Sequence, residues 1–236
     1  MKSRRPSAEK GGFFPALALE TSTRPGSAAI ALSEREVFFT EISGGGDLSS
    51  HLVPALDELR RRAGLDPDEI RLTVLGTGPG SFTGLRSGAA AAAVLSAYIP
   101  APLAAVPSLE GCPLLSRHPS LALCLDALRG DVQGQIFREG EPTGPPFLAS
   151  PRDFAARLEG EGFLAGSAAA RLKEEGLLPP GWTLLEGEDW TPRADHLLRR
   201  GILYAERGRL ADPAGIEILY LRPSAAAERR RKDSAR

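Results

Sequence analysis

The chain has 236 residues, 42% of them hydrophobic and 25% charged, with a net charge of -1. That length fits one large domain or two small lobes with a real core, and the composition excludes a disordered, collagen-like or disulfide-stapled chain. A charge so near zero also argues against a dedicated polyanion binder, which carries a surplus of basic residues.

Residues 1 to 12 read as a polar tail whose Met1-Lys-Ser-Arg-Arg start lacks the apolar stretch of a signal peptide. Three strand-length apolar runs follow: Pro15 to Leu19, Ala28 to Leu32 and Val37 to Ile42. The first stops at the acid Glu20 and the turn Thr21 to Gly26, and the short connections predict an antiparallel meander. After the loop Gly44 to Asp47, Ser49 or Ser50 is placed to cap a helix over His51 to Ala63, with Leu52, Leu56 and Leu59 on one face. Leu72 to Leu75 reads as a buried strand. It leads through Gly76 to Ser81 into an alanine-rich helix that begins near Thr83 and ends before Pro100. The apolar run from Gly88 through Tyr98 towards Val106 is broken by Pro100 and Pro102, short of the roughly 20 residues of a membrane span. The expectation is a cytoplasmic protein.

The second half restarts in the same order. Leu121 to Leu125 ends at Asp126, a turn covers Ala127 to Gly130, and a strand returns over Val132 to Phe137. Helices are predicted over Pro151 to Leu158, Ser167 to Glu175 and Arg193 to Arg207, with a basic tail from Ala225 to Arg236. Placing Glu20 on Asp126 suggests a duplication.

Four features bear on function. A carboxylate at a strand end followed by hydroxyl residues, here Glu20, Thr21 and Ser22, can meet a nucleotide's phosphates; a self-bonded hairpin turn is the plainer reading. Gly78 to Arg86 is neither a P-loop nor a nucleophile elbow, and Ser81 or Thr83 caps the helix that follows. On that helix Gly84, Gly88 and Ala92 recur every fourth residue, a face bare enough for close approach by another element. The partner is either internal or a second subunit. Catalytic constellations are missing. The three histidines His51, His118 and His196 stand at no metal-ligand spacing, and Cys112 and Cys124 suit neither a zinc site nor a disulfide framework. The basic ends, Lys2-Ser-Arg-Arg and Arg229 to Lys232, read as solvated tails that could also touch RNA phosphates.

Glu20 to Thr23, Ser50 to Pro54, Gly78 to Gly88, Val106 to Leu109, Asp126 to Gly130 and Tyr220 to Arg222 occur in the order and spacing of one family. Over about residues 15 to 225 the chain resembles bacterial TsaB, also called YeaZ. The resemblance implies an α/β, two-lobed, duplicated actin-like (ASKHA, ribonuclease-H-like) fold, with lobes at 13–107 and 108–224. It implies a non-catalytic scaffold subunit of tRNA threonylcarbamoyladenosine synthesis that docks on and activates the transferase TsaD, with TsaE as the ATPase and tRNA reached indirectly. The two first-lobe helices would pair with TsaD, or self-pair into a homodimer in its absence. That assigns His51, Leu52, Leu56, Leu59, Gly84, Leu85, Gly88 and Ala92 to the interface. No catalytic residue, metal or cofactor of its own is implied, and ATP or ADP is expected only at the TsaD interface, with Glu20, Thr21 and Ser22 as nucleotide contacts. The rival reading is an enzyme acting alone: a peptidase using Ser81 with His51, or a small-molecule kinase using Asp126.

Overall fold

The computed structural model describes residues 12–43, 48–187 and 189–221. The predicted tails (apart from Gly12), the loop Gly44 to Asp47 and Arg222 lie outside them. The chain divides into two units, Met1–Pro113 with Asp189–Ile218, and Leu114–Glu188 with Leu219–Arg236.

The first unit is built on a five-stranded sheet. Strands β1 (Ala16–Glu20), β2 (Gly26–Ala31) and β3 (Val37–Ile42) form the antiparallel meander, and β4 (Leu72–Gly76) and β5 (Leu103–Val106) add parallel to β1, giving the order β3-β2-β1-β4-β5. Strands β1, β2 and β4 are buried along their whole length, so both faces of the sheet are covered. One face, through Leu17, Leu19, Ala28, Ile30 and Leu75, receives helices α1 (Leu48–Ala63) and α2 (Phe82–Tyr98). The helix α1 starts at Leu48, not His51. Leu48 is buried in the core and draws the first turn back, so Ser49 and Ser50 fall within the helix.

The last helix, α5 (Ala194–Glu206), covers the other face of this sheet, although the sequence places it in the second lobe. The reason is steric fit. Its buried residues Ala194, Leu197, Leu198 and Tyr204 meet a surface made mostly of Ala16, Ala18, Ala29, Ala31, Val74 and Ala104. Gly201 lies against Val74, and a Cβ there would stand 2.3 Å from a Val74 methyl. The predicted boundary at 107/108 therefore fails for residues 189–218.

A buried ionic knot ties α5 to the 3₁₀ turn Ser108–Gly111. Glu110 is fully enclosed; its Oε2 accepts from Arg200 Nε and Nη2 at 2.9 and 2.8 Å, and its Oε1 accepts from Tyr204 OH at 2.7 Å. Burial, followed by the Glu110 charge, pushes the Tyr204 hydroxyl up to about 12.

The second unit carries the sheet order β11-β10-β6-β7-β8, from β6 (Leu121–Asp126), β7 (Val132–Arg138), β8 (Glu141–Pro142), β10 (Gly162–Ala165) and β11 (Trp182–Leu184). The short β9 (Phe147–Ala149) also pairs with β7. Helices α3 (Pro151–Ala155) and α4 (Ala169–Glu174) bury Phe154, Ala155, Ala169 and Leu172 with Ala122, Cys124, Val132 and Leu164. An antiparallel hairpin ending in an acid, with a parallel strand on its far side, thus occurs twice: β1-β2 with β4, and β6-β7 with β10. The predicted duplication is visible in the topology.

Removing one side of a buried charge pair leaves the other uncompensated, typically at about 3 kcal/mol. Glu110→Gln should lower stability by about that amount, and a urea unfolding curve beside the wild type measures it.

Candidate functional site

The acidic turn and the glycine-rich loop meet in the first unit. Glu20 ends β1 with its carboxyl buried, and Oε1 accepts the Ser22 N–H at 2.6 Å. The loop from Thr77 to Ser81 lies directly on this turn: the Ser81 N–H donates to the Ser22 carbonyl at 2.7 Å, and the Gly78 N–H donates to Ser108 Oγ at 2.9 Å. Ser81 then caps α2, its Oγ accepting the Gly84 N–H at 3.3 Å. Of the two caps the sequence allowed, Ser81 is the one used.

Glycine makes this contact possible because no side chain separates the backbones. A Cβ on Gly84 would lie 2.0 Å from the Thr21 carbonyl oxygen, one on Gly88 2.3 Å from Thr21 Oγ1, and one on Gly80 2.3 Å from the Ser22 carbonyl oxygen. The bare face of α2 is therefore spent inside its own unit. Gly84, Leu85, Gly88 and Ala92 are all buried, and so are Leu52 and Leu59 in the core beneath α1. These six residues, which the resemblance assigned to a subunit interface, are packed inside their own unit and present no exposed surface. Of the eight assigned to it, His51 is exposed and Leu56 is half-buried.

The nucleotide contacts fare no better. Glu20, Thr21 and Ser22 are essentially without exposure, walled in by Gly76, Gly80 and Gly84. A phosphate could not reach them without lifting α2 from its seat, so these residues do not fit a bound nucleotide. Asp126 repeats the Glu20 arrangement in the second unit: its Oδ1 accepts the Leu128 N–H at 3.0 Å, again two residues on. Ser81 Oγ serves as a helix cap, and among the described residues no group of three or more His, Cys, Asp or Glu is placed to hold a metal. No helix among them is long and apolar enough to cross a membrane.

The opposite side of α2 is the unusual surface. Val94 is 59% exposed and Tyr98 82%, Ala90 and Ala97 are exposed beside them, and on α1 Val53 is 67% exposed. From Ser87 to Tyr98 the helix carries no charged residue at all. A solvent-facing helix side is ordinarily polar or charged, and a large exposed apolar surface marks an interaction site. Sequence reasoning missed this face although its signal was present: Ala90, Val94, Ala97 and Tyr98 stand at helical spacing opposite the glycines. On α1, by contrast, the exposed Asp57, Glu58 and Arg61 form ion pairs.

Two layered α/β units with hairpin-plus-parallel-strand sheets define an actin-like two-lobed protein, here with its first acidic turn closed by its own chain. The chain belongs to the family described as TsaD: tRNA N6-adenosine threonylcarbamoyltransferase, whose pattern matches residues 46–178, more than half of it. Its curated relatives include the tRNA threonylcarbamoyladenosine biosynthesis protein TsaB of Haemophilus influenzae, 28% identical over 128 residues (52% of this chain, 54% of that protein). The TsaB of Bacillus subtilis is 32% identical over 92 residues, covering 38% of this chain and 40% of that protein. The chain matches about half the length of these relatives or less. A solved structure titled "YeaZ from Pseudomonas aeruginosa" superposes with a TM-score of 0.74 at 22% identity, over 87% of this chain and 99% of that one. The resemblance to TsaB/YeaZ and the two-lobed actin-like fold are borne out.

The two glycines should respond differently to enlargement. A Cβ at Gly84 meets backbone that cannot yield, whereas one at Gly88 meets a hydroxyl that can rotate. Overpacking costs typically about 1–3 kcal/mol, set against a gain of about 1 kcal/mol for Gly→Ala in a helix interior. Gly84→Ala should therefore destabilise the chain more than Gly88→Ala in paired thermal melts, and Gly84→Leu should fail to fold.

Proposed function

We propose that the chain is the docking subunit of tRNA threonylcarbamoyladenosine synthesis, holding a TsaD transferase in its active arrangement without performing the chemistry itself. The observation that carries this reading is the uncharged outer face of α2, exposed at Ala90, Val94, Ala97 and Tyr98. The helix α2 offers a partner one apolar ridge, to which α1 adds Val53, and an apolar helix face on the transferase would bury it. Tyr98 and Val94 are the anchors, and the ion-paired residues of α1 set orientation at the rim. The same face would let two copies pair into a homodimer when the transferase is absent.

On this reading the tRNA and the reacting groups lie on the transferase, TsaE supplies ATP hydrolysis to the assembly, and the complex works in the cytoplasm. ATP or ADP at the interface would draw on the partner's residues, because Glu20, Thr21 and Ser22 are closed off. The three residues that the rival readings would use are engaged in local structure: one carboxylate oxygen each of Glu20 and Asp126 accepts an amide two residues on, and Ser81 Oγ accepts at the start of α2.

A charge placed on the docking face should break the complex without unfolding the subunit. Burying an unpaired carboxylate at a hot spot costs 2 kcal/mol or more, roughly a 30-fold loss of affinity. Val94→Glu and Tyr98→Glu should each weaken binding to the transferase of the same organism by at least about 30-fold, with thermal stability close to the wild type. Unchanged affinity in both variants, measured by calorimetry, would remove this face as the docking site.

A further inference from the structure

We propose that Glu20 is a proton-controlled latch on the seat of α2: with the carboxyl protonated the turn and the helix stay locked, and loss of that proton lets the first turns of α2 lift. Three observations carry this.

The carboxyl is enclosed and poorly served. Oε1 has the Ser22 amide, but Oε2 is buried without a hydrogen-bond partner, and so are Thr21 Oγ1, Ser22 Oγ and Thr23 Oγ1 around it. A Cβ on Gly76 would lie 2.0 Å from Oε2 and 2.8 Å from Ser108 Oγ, so the carboxyl fills the space that glycine leaves on β4.

Among the described residues no positive charge is buried beside it; Arg24, in the same turn, is exposed. Opposite Glu20 on β2 stands Ser27, and β1, β2 and β4 carry no other titratable side chain. On the 3₁₀ turn, Glu110 is committed to Arg200 and Tyr204. On α2 the one charged residue is Arg86, whose guanidinium lies 4.0 Å over the exposed Phe82 ring. A carboxylate formed here would have the Ser22 and Thr21 amides and the Ser22 and Ser108 hydroxyls near it but no cation, and desolvation, the largest effect, disfavours the charged form. Burial accordingly pushes the Glu20 carboxyl above its ordinary value near 4.5, and hydrogen bonding from Ser22 offsets only part of the effect.

The same turn is what α2 rests on. Ser22 holds Ser81 through the 2.7 Å bond, and Thr21 lies against Gly84 and Gly88. Water reaches Glu20 only when these contacts part.

The sign follows from linkage. The closed form binds the proton more tightly than the open form, so closure is fully favoured below the ordinary carboxylate value. That preference fades as pH rises towards the closed-state value. Between the two values the opening equilibrium grows up to tenfold per pH unit. The outer face of α2 moves with its seat, so docking would weaken over the same range. That consequence rests on the docking reading, whereas the latch itself does not.

Amide hydrogen exchange on the full chain alone tests the latch between pH 5 and 9, with rates corrected for intrinsic chemistry. Opening at the α2 amides of Leu85 to Ala89 should rise by up to about tenfold per pH unit over part of the range, while the α5 amides of Leu197 to Gly201 stay flat. Glu20→Gln should abolish the rise and keep the protection seen at low pH. A flat wild-type response at α2, a parallel rise at α5, or an unchanged slope in Glu20→Gln would each overturn the proposal. Should the Gln variant fold poorly, the wild-type comparison of α2 with α5 decides alone. Because no transferase is present, the result stands apart from the fate of the docking face.

Discussion

The first unit depends on one close approach: α2 lying directly on the turn that ends β1, with nothing but glycine between the two backbones. Gly84 and Gly88 bring the helix onto Thr21, and Gly80 brings the preceding loop onto Ser22. The far side of the sheet repeats the device, where Gly201 lets α5 settle on Val74. Under α5 the sheet face is rich in alanine: Ala16, Ala18, Ala29, Ala31 and Ala104. Small residues give less apolar burial per contact than leucine would, so the layers must be thin and close-fitting to gain enough dispersion energy. That requirement makes the unit intolerant of added volume and leaves its turns no room for a ligand.

Closure of the turn also decides what chemistry is available. A carboxylate at a strand end is useful to a phosphate or a metal only while its oxygens face an open site. Glu20 and Asp126 each bend back to the amide two residues on, one deep under α2 and the other exposed at the tip of β6-β7. The duplicated hairpin has thus kept its acids while turning them to holding the hairpin's own shape. What remains free for interaction is surface, and the surface that stands out is apolar.

Most of the elements were legible in the sequence because their signals are local. Apolar runs with turn residues between them gave β1 to β4, β6 and β7 within a residue or two, and the apolar face of α1 showed as helical spacing. The strands β5, β10 and β11 carry only three or four residues each, too few for alternation to show. Destination was less legible than identity. The spacing of Leu197, Leu198, Gly201 and Tyr204 says that α5 buries a face, but which of two sheets receives it depends on surfaces built from distant parts of the chain. The glycine stripe of α2 posed the same difficulty. Spacing fixes how near another backbone can come, and says nothing about whose backbone it is.

The uncharged outer face of α2 stayed hidden for a related reason. A helix that is apolar inward and charged outward declares both sides at once, because the contrast between them is the signal. In α2 the inward side needs residues with no bulk and the outward side needs residues with no charge, and alanine satisfies both. Five consecutive alanines, Ala89 to Ala93, erase the contrast, leaving Val94 and Tyr98 as the large outward residues. A helix covered on one side only would gain solubility from lysine or glutamate at Ala90 and Ala97, at no cost to its packing on the sheet. Their absence from the outer side of this stretch is a constraint that folding of this chain alone does not impose.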